Sequence, residues 1–254
     1  GGTRSDERLF VSAPACKTGS MISVVIPTLN SERTLPETLS ALIPAAVDGL
    51  VREVIIADGG STDGTQKIAE GCGAELLAGA AGRGVQLAKG AARARGPWLL
   101  FLHSDTVPQG DWMREVSDFV RAVDQERRPI AAAAFRFKLD DRGAKPRVLE
   151  GLVALRCRTL GLPYGDQGLL ISKALYLEAG GYKDMPVMED LDLVRRLGRR
   201  RIALLESAAL TSPERYKRDG YVHRSLRNMM CLGCYYGGVA PERIAAIYNR
   251  GTSS

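Results

Sequence analysis

The chain has 254 residues, 45% of them hydrophobic and 25% charged, with a formal net charge of +6. Such a composition excludes a disordered or collagen-like chain, and no apolar run reaches the roughly 18–20 residues that span a bilayer. Five scattered cysteines suit a reducing compartment better than a disulfide framework, while the positive balance favours anionic partners, whether nucleotides, phosphosugars, nucleic acid or a phospholipid surface.

Residues 1–20 lack the apolar core of a signal peptide and are set aside as a tail, so the fold is expected to begin at Met21 and to work in the cytoplasm. "ISVVI" (22–26) predicts a buried strand. A helix follows, with Thr34 and Glu37 as a capping-box pair and Leu35, Leu39, Leu42 and Ile43 as its apolar stripe. "EVIIA" (53–57) predicts a second strand running into the turn-rich "DGGSTDGT", with a helix from about Thr65. "AELLA" (74–78) gives a third strand, "GRGVQLAKGAARARG" a glycine-rich loop and helix, and "WLLFLH" (98–103) a fourth strand. Strands alternating with helices at this spacing predict βαβ units and a parallel sheet.

Past residue 125 the pattern loosens: a strand near 131–137, a helix over 146–160, a strand at 169–172, a helix from about 188, and helical sequence from Tyr221 onward. The expected division is a nucleotide-binding half over 21–125, an acceptor-binding half over 126–220 and a helical extension over 221–254. The CxxC of Cys231 and Cys234 has no second pair or nearby histidine to complete a zinc site.

Asp58 and Asp105 close the second and fourth strands, and strand ends on one edge of a parallel sheet face one crevice. There a carboxylate either turns the chain, takes a ribose or base hydrogen bond, or holds a hard divalent cation on phosphates. Asp63 reads as an N-cap. Gly82, Arg83, Gly84, Gln86 and Lys89 let backbone and charge approach a phosphate, although neither dinucleotide nor P-loop spacing is present.

"SVVIPTLN", "EVIIADGGSTDGT", "GRGVQLAKGAARARG", "FLHSDT", "GDQGLLISK" and "MEDLDL", in that order, resemble a family 2 inverting glycosyltransferase of the small, non-processive type. The resemblance spans about residues 21–220. It implies the GT-A fold, a mostly parallel central sheet flanked by helices, and transfer of a sugar from a nucleotide-diphosphate donor with Mn²⁺ or Mg²⁺. UDP follows from the resemblance, because no residue separates uracil from guanine.

By the same resemblance, Pro27, Thr28, Asn30, Glu32, Asp58, Gly82 and Arg83 bind the nucleotide. "HSDT" stands where the family keeps its D-x-D motif, with Ser104 and Asp105 on the diphosphate and Asp105 on the metal. His103 replaces the first aspartate, so diphosphate and water would complete the metal shell; the imidazole either ligates or packs. Asp190 falls at the general base, with Glu189 positioning it and Asp192 exposed beside Arg195 or Arg196. Asp166 and Gln167 are expected in the sugar and acceptor pocket, Arg215 and Lys217 on the leaving phosphate, and His223 as a late metal ligand.

Met229, Met230, Leu232, Tyr235 and Tyr236 need cover from this chain, a second copy or a membrane surface. Nucleic acid is not expected as a partner, and the acceptor is left open. Two rival readings stand beside the transferase. A sugar-phosphate nucleotidyltransferase would show an Arg-bearing glycine-rich signature after the first strand, and "IPTLNSE" lacks one; the other rival is a non-enzymatic peripheral binding protein.

Overall fold

A computed structural model of the chain describes residues 21–127 and 131–249, so the expected tail over 1–20 lies outside the described residues. Eight strands form one sheet in the order β3-β2-β1-β4-β7-β6-β8-β5. They are β1 (Ile22–Thr28), β2 (Val51–Asp58), β3 (Glu75–Ala78), β4 (Trp98–Phe101), β5 (Thr106–Gln109), β6 (Ala132–Leu139), β7 (Leu169–Ser172) and β8 (Ile202–Thr211). β1, β2, β3 and β4 pair in parallel, as expected. β7 then enters antiparallel between β4 and β6, and β5 lies antiparallel on β8.

Period-two alternation sends successive residues of β1 to opposite faces. Val24 and Ile26 join Ile56 and Leu100 under α1 (Leu35–Val47), α2 (Thr65–Gly71) and α4 (Trp112–Asp124). Val25, Leu99 and Phe101 join the opposite face, under α3 (Arg83–Arg93), α6 (Lys173–Glu178) and α7 (Glu189–Leu197). α3 crosses β1 so closely that a Cβ on Gly90 would stand 2.3 Å from Val25 Cγ1; only glycine permits that approach.

Around this sandwich lie α5 (Ala144–Leu160), α8 (Glu214–Asp219), α9 (Tyr221–Tyr236) and α10 (Pro241–Asn249). Leu232 and Tyr235 of α9 pack against Leu191 and Val194 of α7, whereas Met229, Met230 and Tyr236 stay exposed. Cys231 is buried and Cys234 half-buried, and neither is in a disulfide. Among the described residues no helix is long and apolar enough to cross a membrane.

Local expectations are corrected at three places. Thr34 makes no side-chain cap; the carbonyl of Ser31 accepts the N–H groups of Thr34 and Leu35 at 3.1 and 2.9 Å, and Glu37 stays in solvent. The fourth strand stops at Phe101, so Asp105 stands in a turn, closed by Thr106 N–H on the His103 carbonyl at 3.2 Å, and not at a strand end. Asp192 is buried, its carboxylate held by Arg196 at 2.7 Å and Lys183 at 3.4 Å.

Candidate active site

The loops after β1 and β2 are laced together. Asn30 Oδ1 accepts Thr62 N–H at 2.9 Å, Asn30 N–H donates to Ser61 Oγ at 2.8 Å, and Glu32 accepts Gly64 N–H at 2.9 Å. Asp58 is the knot. Its carboxylate accepts from Thr28 Oγ1 at 2.8 Å, the N–H groups of Gly60 and Ser61 at 3.1 and 2.9 Å, Ser61 Oγ at 2.5 Å and Gln66 Nε2 at 3.0 Å. Burial raises its proton affinity, but these donors outweigh burial and hold it below the usual carboxylate range. Asp58 therefore does not offer a free carboxylate to the crevice as expected; the "DGGS" turn, Thr28 and Gln66 together occupy both of its oxygens. Gln86, buried on α3, bridges the Thr28 and Ala57 carbonyls at 2.8 and 2.6 Å and fixes the ends of β1 and β2.

A cleft of about 320 Å³ opens where β4 and β8 end and β7 begins, and Asp105, Asp166, Asp190, Arg83 and Arg215 all reach it. Asp105 Oδ1 is buried with no hydrogen-bond partner, and its other oxygen stands 3.8 Å from Arg215. Ser104 is turned away, its Oγ 2.9 Å from Ser31 Oγ and its carbonyl accepting Thr38 Oγ1 at 3.1 Å. His103 Nε2 is likewise buried without a partner. Burial, with Arg83 and Arg215 nearby, keeps the ring neutral well below the usual histidine range.

Gly165 marks how tightly the cleft floor is drawn together. A Cβ there would stand 2.2 Å from Asp190 Oδ2 and 2.7 Å from His103 Nε2, so the turn after β4 and the start of α7 crowd one point. Asp166 beside it has an unpartnered, buried Oδ1 and a carboxyl pushed up by burial. Gln167, expected to line the pocket, turns inward instead. Its amide donates to the Phe135 carbonyl at 2.9 Å and its oxygen accepts Tyr164 N–H at 3.2 Å, which fastens the loop from beneath.

α7 leaves Met188 in a left-handed conformation, φ 66°, a conformation that concentrates at functional sites. The strained start presents Glu189 and Asp190 together. Glu189 is buried against Arg83, and Arg83 also lies 3.5 Å from Asp190 Oδ2. Burial first, then the neighbouring Glu189 charge, raises the Asp190 carboxyl to about 7, with Arg83 opposing. That affinity suits a group that takes a proton near neutral pH.

On the far wall, Arg215 from α8 lines the cleft as expected. Lys217 does not, since it points to Asp141 at 3.6 Å outside. His223 is also misplaced by the sequence reading: it is exposed on α9 and outside the cleft lining, because that helix turns Arg224 and Arg227 inward. Residues the reading missed are Tyr164, Tyr216, Arg224, Asn228 and Tyr248, all on the cleft wall. The available signal was a polar face, Arg224–Arg227–Asn228, opposite Leu226 and Met230.

For a divalent cation, the unpartnered Asp105 Oδ1 and His103 Nε2 are fitting donors. Among the described residues no three carboxylate, imidazole or thiol groups converge to hold an ion unaided. The donor set is therefore one that substrate phosphates would complete.

The sequence model of Glycosyl transferase family 2 matches residues 23–172, from β1 to the end of β7. The chain belongs to that family. Asp105 and Asp166 lie inside the family 2 match; Asp190, Arg215 and Arg224 lie beyond it. The glucosyl-3-phosphoglycerate synthase of Mycobacterium tuberculosis H37Rv is 36% identical over 102 residues, 37% of this chain and 31% of that protein. A PGL/p-HBAD biosynthesis glycosyltransferase of M. tuberculosis H37Ra is 33% identical over 120 residues, 39% of this chain and 41% of its own length. The match thus spans well under half of the length of these curated relatives, 31% and 41%. The crystal structure of the M. tuberculosis synthase with Mn²⁺, UDP-glucose and phosphoglyceric acid superposes with a TM-score of 0.54 at 27% identity, covering 82% of this chain and 78% of that one. Staphylococcus aureus TarS shares the fold alone, with a TM-score of 0.58 at 18% identity over 84% of this chain. The architecture is the GT-A fold.

Proposed function

We propose that this family 2 chain transfers a sugar from a nucleotide-diphosphate donor, UDP-linked, to an acceptor hydroxyl with inversion at the anomeric carbon. The observation that carries the reading is that Asp105, with an unpartnered oxygen, and Asp190, with its raised proton affinity, line one cleft. Support for UDP and a divalent ion comes from the synthase structure solved with Mn²⁺ and UDP-glucose.

Asp105, assisted by His103, would hold Mn²⁺ or Mg²⁺ at the donor. Such a cation, when bound, neutralises the charge of the diphosphate leaving group. Arg215 faces the same place and stabilises negative charge as it develops. Asp190 takes the proton of the acceptor hydroxyl, while Glu189, locked to Arg83, keeps that carboxyl's affinity high until the acceptor arrives. The laced loops around Asp58 shape the nucleoside end, and Asp166 serves the sugar or acceptor.

A thermal-shift panel of nucleoside diphosphates with and without Mn²⁺ tests this. UDP with Mn²⁺ should raise Tm, at 100 times Kd by the equivalent of about 2.7 kcal/mol, and Asp105→Asn should remove the metal-dependent part. A shift unchanged in Asp105→Asn would refute the donor site.

A further inference from the structure

Arg224 and Arg227 are long cations only 7% and 5% exposed, and they converge on one carboxylate, Asp219, at 2.9 and 2.7 Å. Arg218 reaches the same carboxylate from solvent at 2.8 Å. Two buried positive charges thus share a single buried negative one, a local excess of cation. Their hydrogen-bonding capacity is also unspent: Arg224 Nε and Arg227 Nε and Nη1 are buried with no partner. Buried guanidinium N–H groups are normally satisfied, and a cation buried without full pairing is costly. An acceptor-rich ligand supplied from the cleft would relieve both conditions.

Arg224 is the member that reaches the cleft, along with Asn228 one turn further and Tyr248 of α10. Its guanidinium lies over the Tyr216 ring at 5.0 Å and donates to the Tyr248 hydroxyl at 3.3 Å. Arg227 stays behind, over the Tyr248 ring at 5.2 Å, and holds Asp219 in place. These contacts leave Arg224 Nε as an unpartnered donor.

Arg224 shares one cleft with Asp105 and Asp190. α9 lies along α7 through Leu232 and Tyr235, and α7 opens with Glu189 and Asp190. Asp166, whose buried Oδ1 sits beside the Gly165 against which Asp190 is packed, feels the charges of both Asp105 and Arg224. Arg215 beside Asp105 already serves the leaving side.

We infer that Arg224, backed by Arg227 and Asp219 and flanked by Asn228 and Tyr248, binds an anionic group, a phosphate or carboxylate, on the acceptor. This rests on the donor reading above and assigns the substrate class at the other end of the same cleft. A small acidic acceptor would set its anion on Arg224 and its hydroxyl toward Asp190. A neutral sugar or alcohol would leave the guanidinium unpaired and would be discriminated against accordingly.

The test uses the full chain loaded with UDP and Mg²⁺, titrated calorimetrically with inorganic phosphate, glyceric acid and, as a neutral control, glycerol. Phosphate or glyceric acid should bind and glycerol should not. Arg224→Gln should weaken that binding about tenfold or more, with UDP affinity within about twofold of wild type. Because a buried arginine can matter for folding, Asn228→Asp provides a second arm. It sets a carboxylate one helical turn from Arg224, so it should raise Tm without ligand and abolish anion binding. The inference is overturned if UDP-loaded wild type binds no anion, or if Arg224→Gln and Asn228→Asp both bind like wild type. It is also overturned if phosphate competes with UDP, which would put Arg224 on the donor diphosphate. Failure of UDP to bind, with phosphate binding still sensitive to Arg224, would sink the donor reading and leave the anion site standing.

Discussion

Replacing Asp190 by Asn keeps the side chain's shape while removing its ability to accept a proton, so it isolates the role assigned to that carboxyl. Burial and the adjacent Glu189 hold Asp190 at about 7. It is then about one-tenth ionised at pH 6 and about nine-tenths at pH 8, and wild-type kcat should climb about tenfold across that window. Asp190→Asn should lose about 10²–10⁴ of turnover, and what remains should be flat over the same range. Glu189→Gln removes the repelling charge and frees Arg83 to pair with Asp190, so the acid limb should move to lower pH. Stability gives an independent reading. Between the ordinary value of 3.8 and about 7, an unfolded Asp190 has released its proton while the folded one keeps it. The native state therefore loses stability as pH rises through that interval and is unaffected below it. Asp190→Asn should consequently be more stable than wild type at pH 8, on the order of 1–3 kcal/mol, and equal to it near pH 3. UDP release followed against pH, with thermal melts at both extremes, measures all of this. An unchanged limb in Asp190→Asn, or an upward shift in Glu189→Gln, would refute the assignment.

Gly165→Ala should cut kcat at least tenfold while leaving far-UV circular dichroism unchanged, because the new Cβ meets Asp190 Oδ2 at 2.2 Å and His103 Nε2 at 2.7 Å. Asp219→Asn should lower the urea midpoint by the equivalent of about 3–5 kcal/mol, since it strips the carboxylate from two buried arginines; a loss below about 1 kcal/mol would mean that Arg224 and Arg227 are already compensated elsewhere.

What the sequence made legible follows from how locally each feature is determined. β1, β2, β4 and β7 are short apolar or β-branched runs buried on both faces, and such runs announce themselves. β8, "IALLESAALT", is rich in Ala and Leu and partly exposed, and β5 contains Pro108, which the sheet edge tolerates. Neither carries its own signal; each is a strand because a neighbour offers a ladder. Asp105, Asp190, Arg83 and Arg215 were named through the resemblance of their motifs, and the structure places all four on one cleft. Asp58 looked identical in sequence, yet the turn behind it supplies three donors and Thr28 and Gln66 two more. Lys217 and His223 failed for another reason. The phase of α8 and α9 is set by packing on α5 and α7, which no local pattern encodes.

The expected parallel sheet would place a crevice beside β1 and β4, but the cleft owes its form to the antiparallel strand inserted next. Phe101 of β4 pairs with Leu169 of β7, so the chain leaving β4 toward Asp105 and the chain entering β7 from Asp166 emerge at the same sheet edge. β8 adds a third terminus there: Thr211 donates to the Asp166 carbonyl at 3.1 Å, and Ser212 N–H donates to the Asp105 carbonyl at 3.1 Å. Three strand ends tied in this way give Asp105 and Asp166 a rigid floor. The opposite wall, with Asp190, Arg215 and Arg224, comes from α7, α8 and α9, which pack on the sheet without joining its hydrogen-bond ladder. The family 2 match ends at the close of β7, before these helices begin. If Arg224 holds the acceptor's anion as inferred above, substitutions at Arg224 or Asn228, which lie on a helix outside the ladder, should change which acceptor is used before they change the donor.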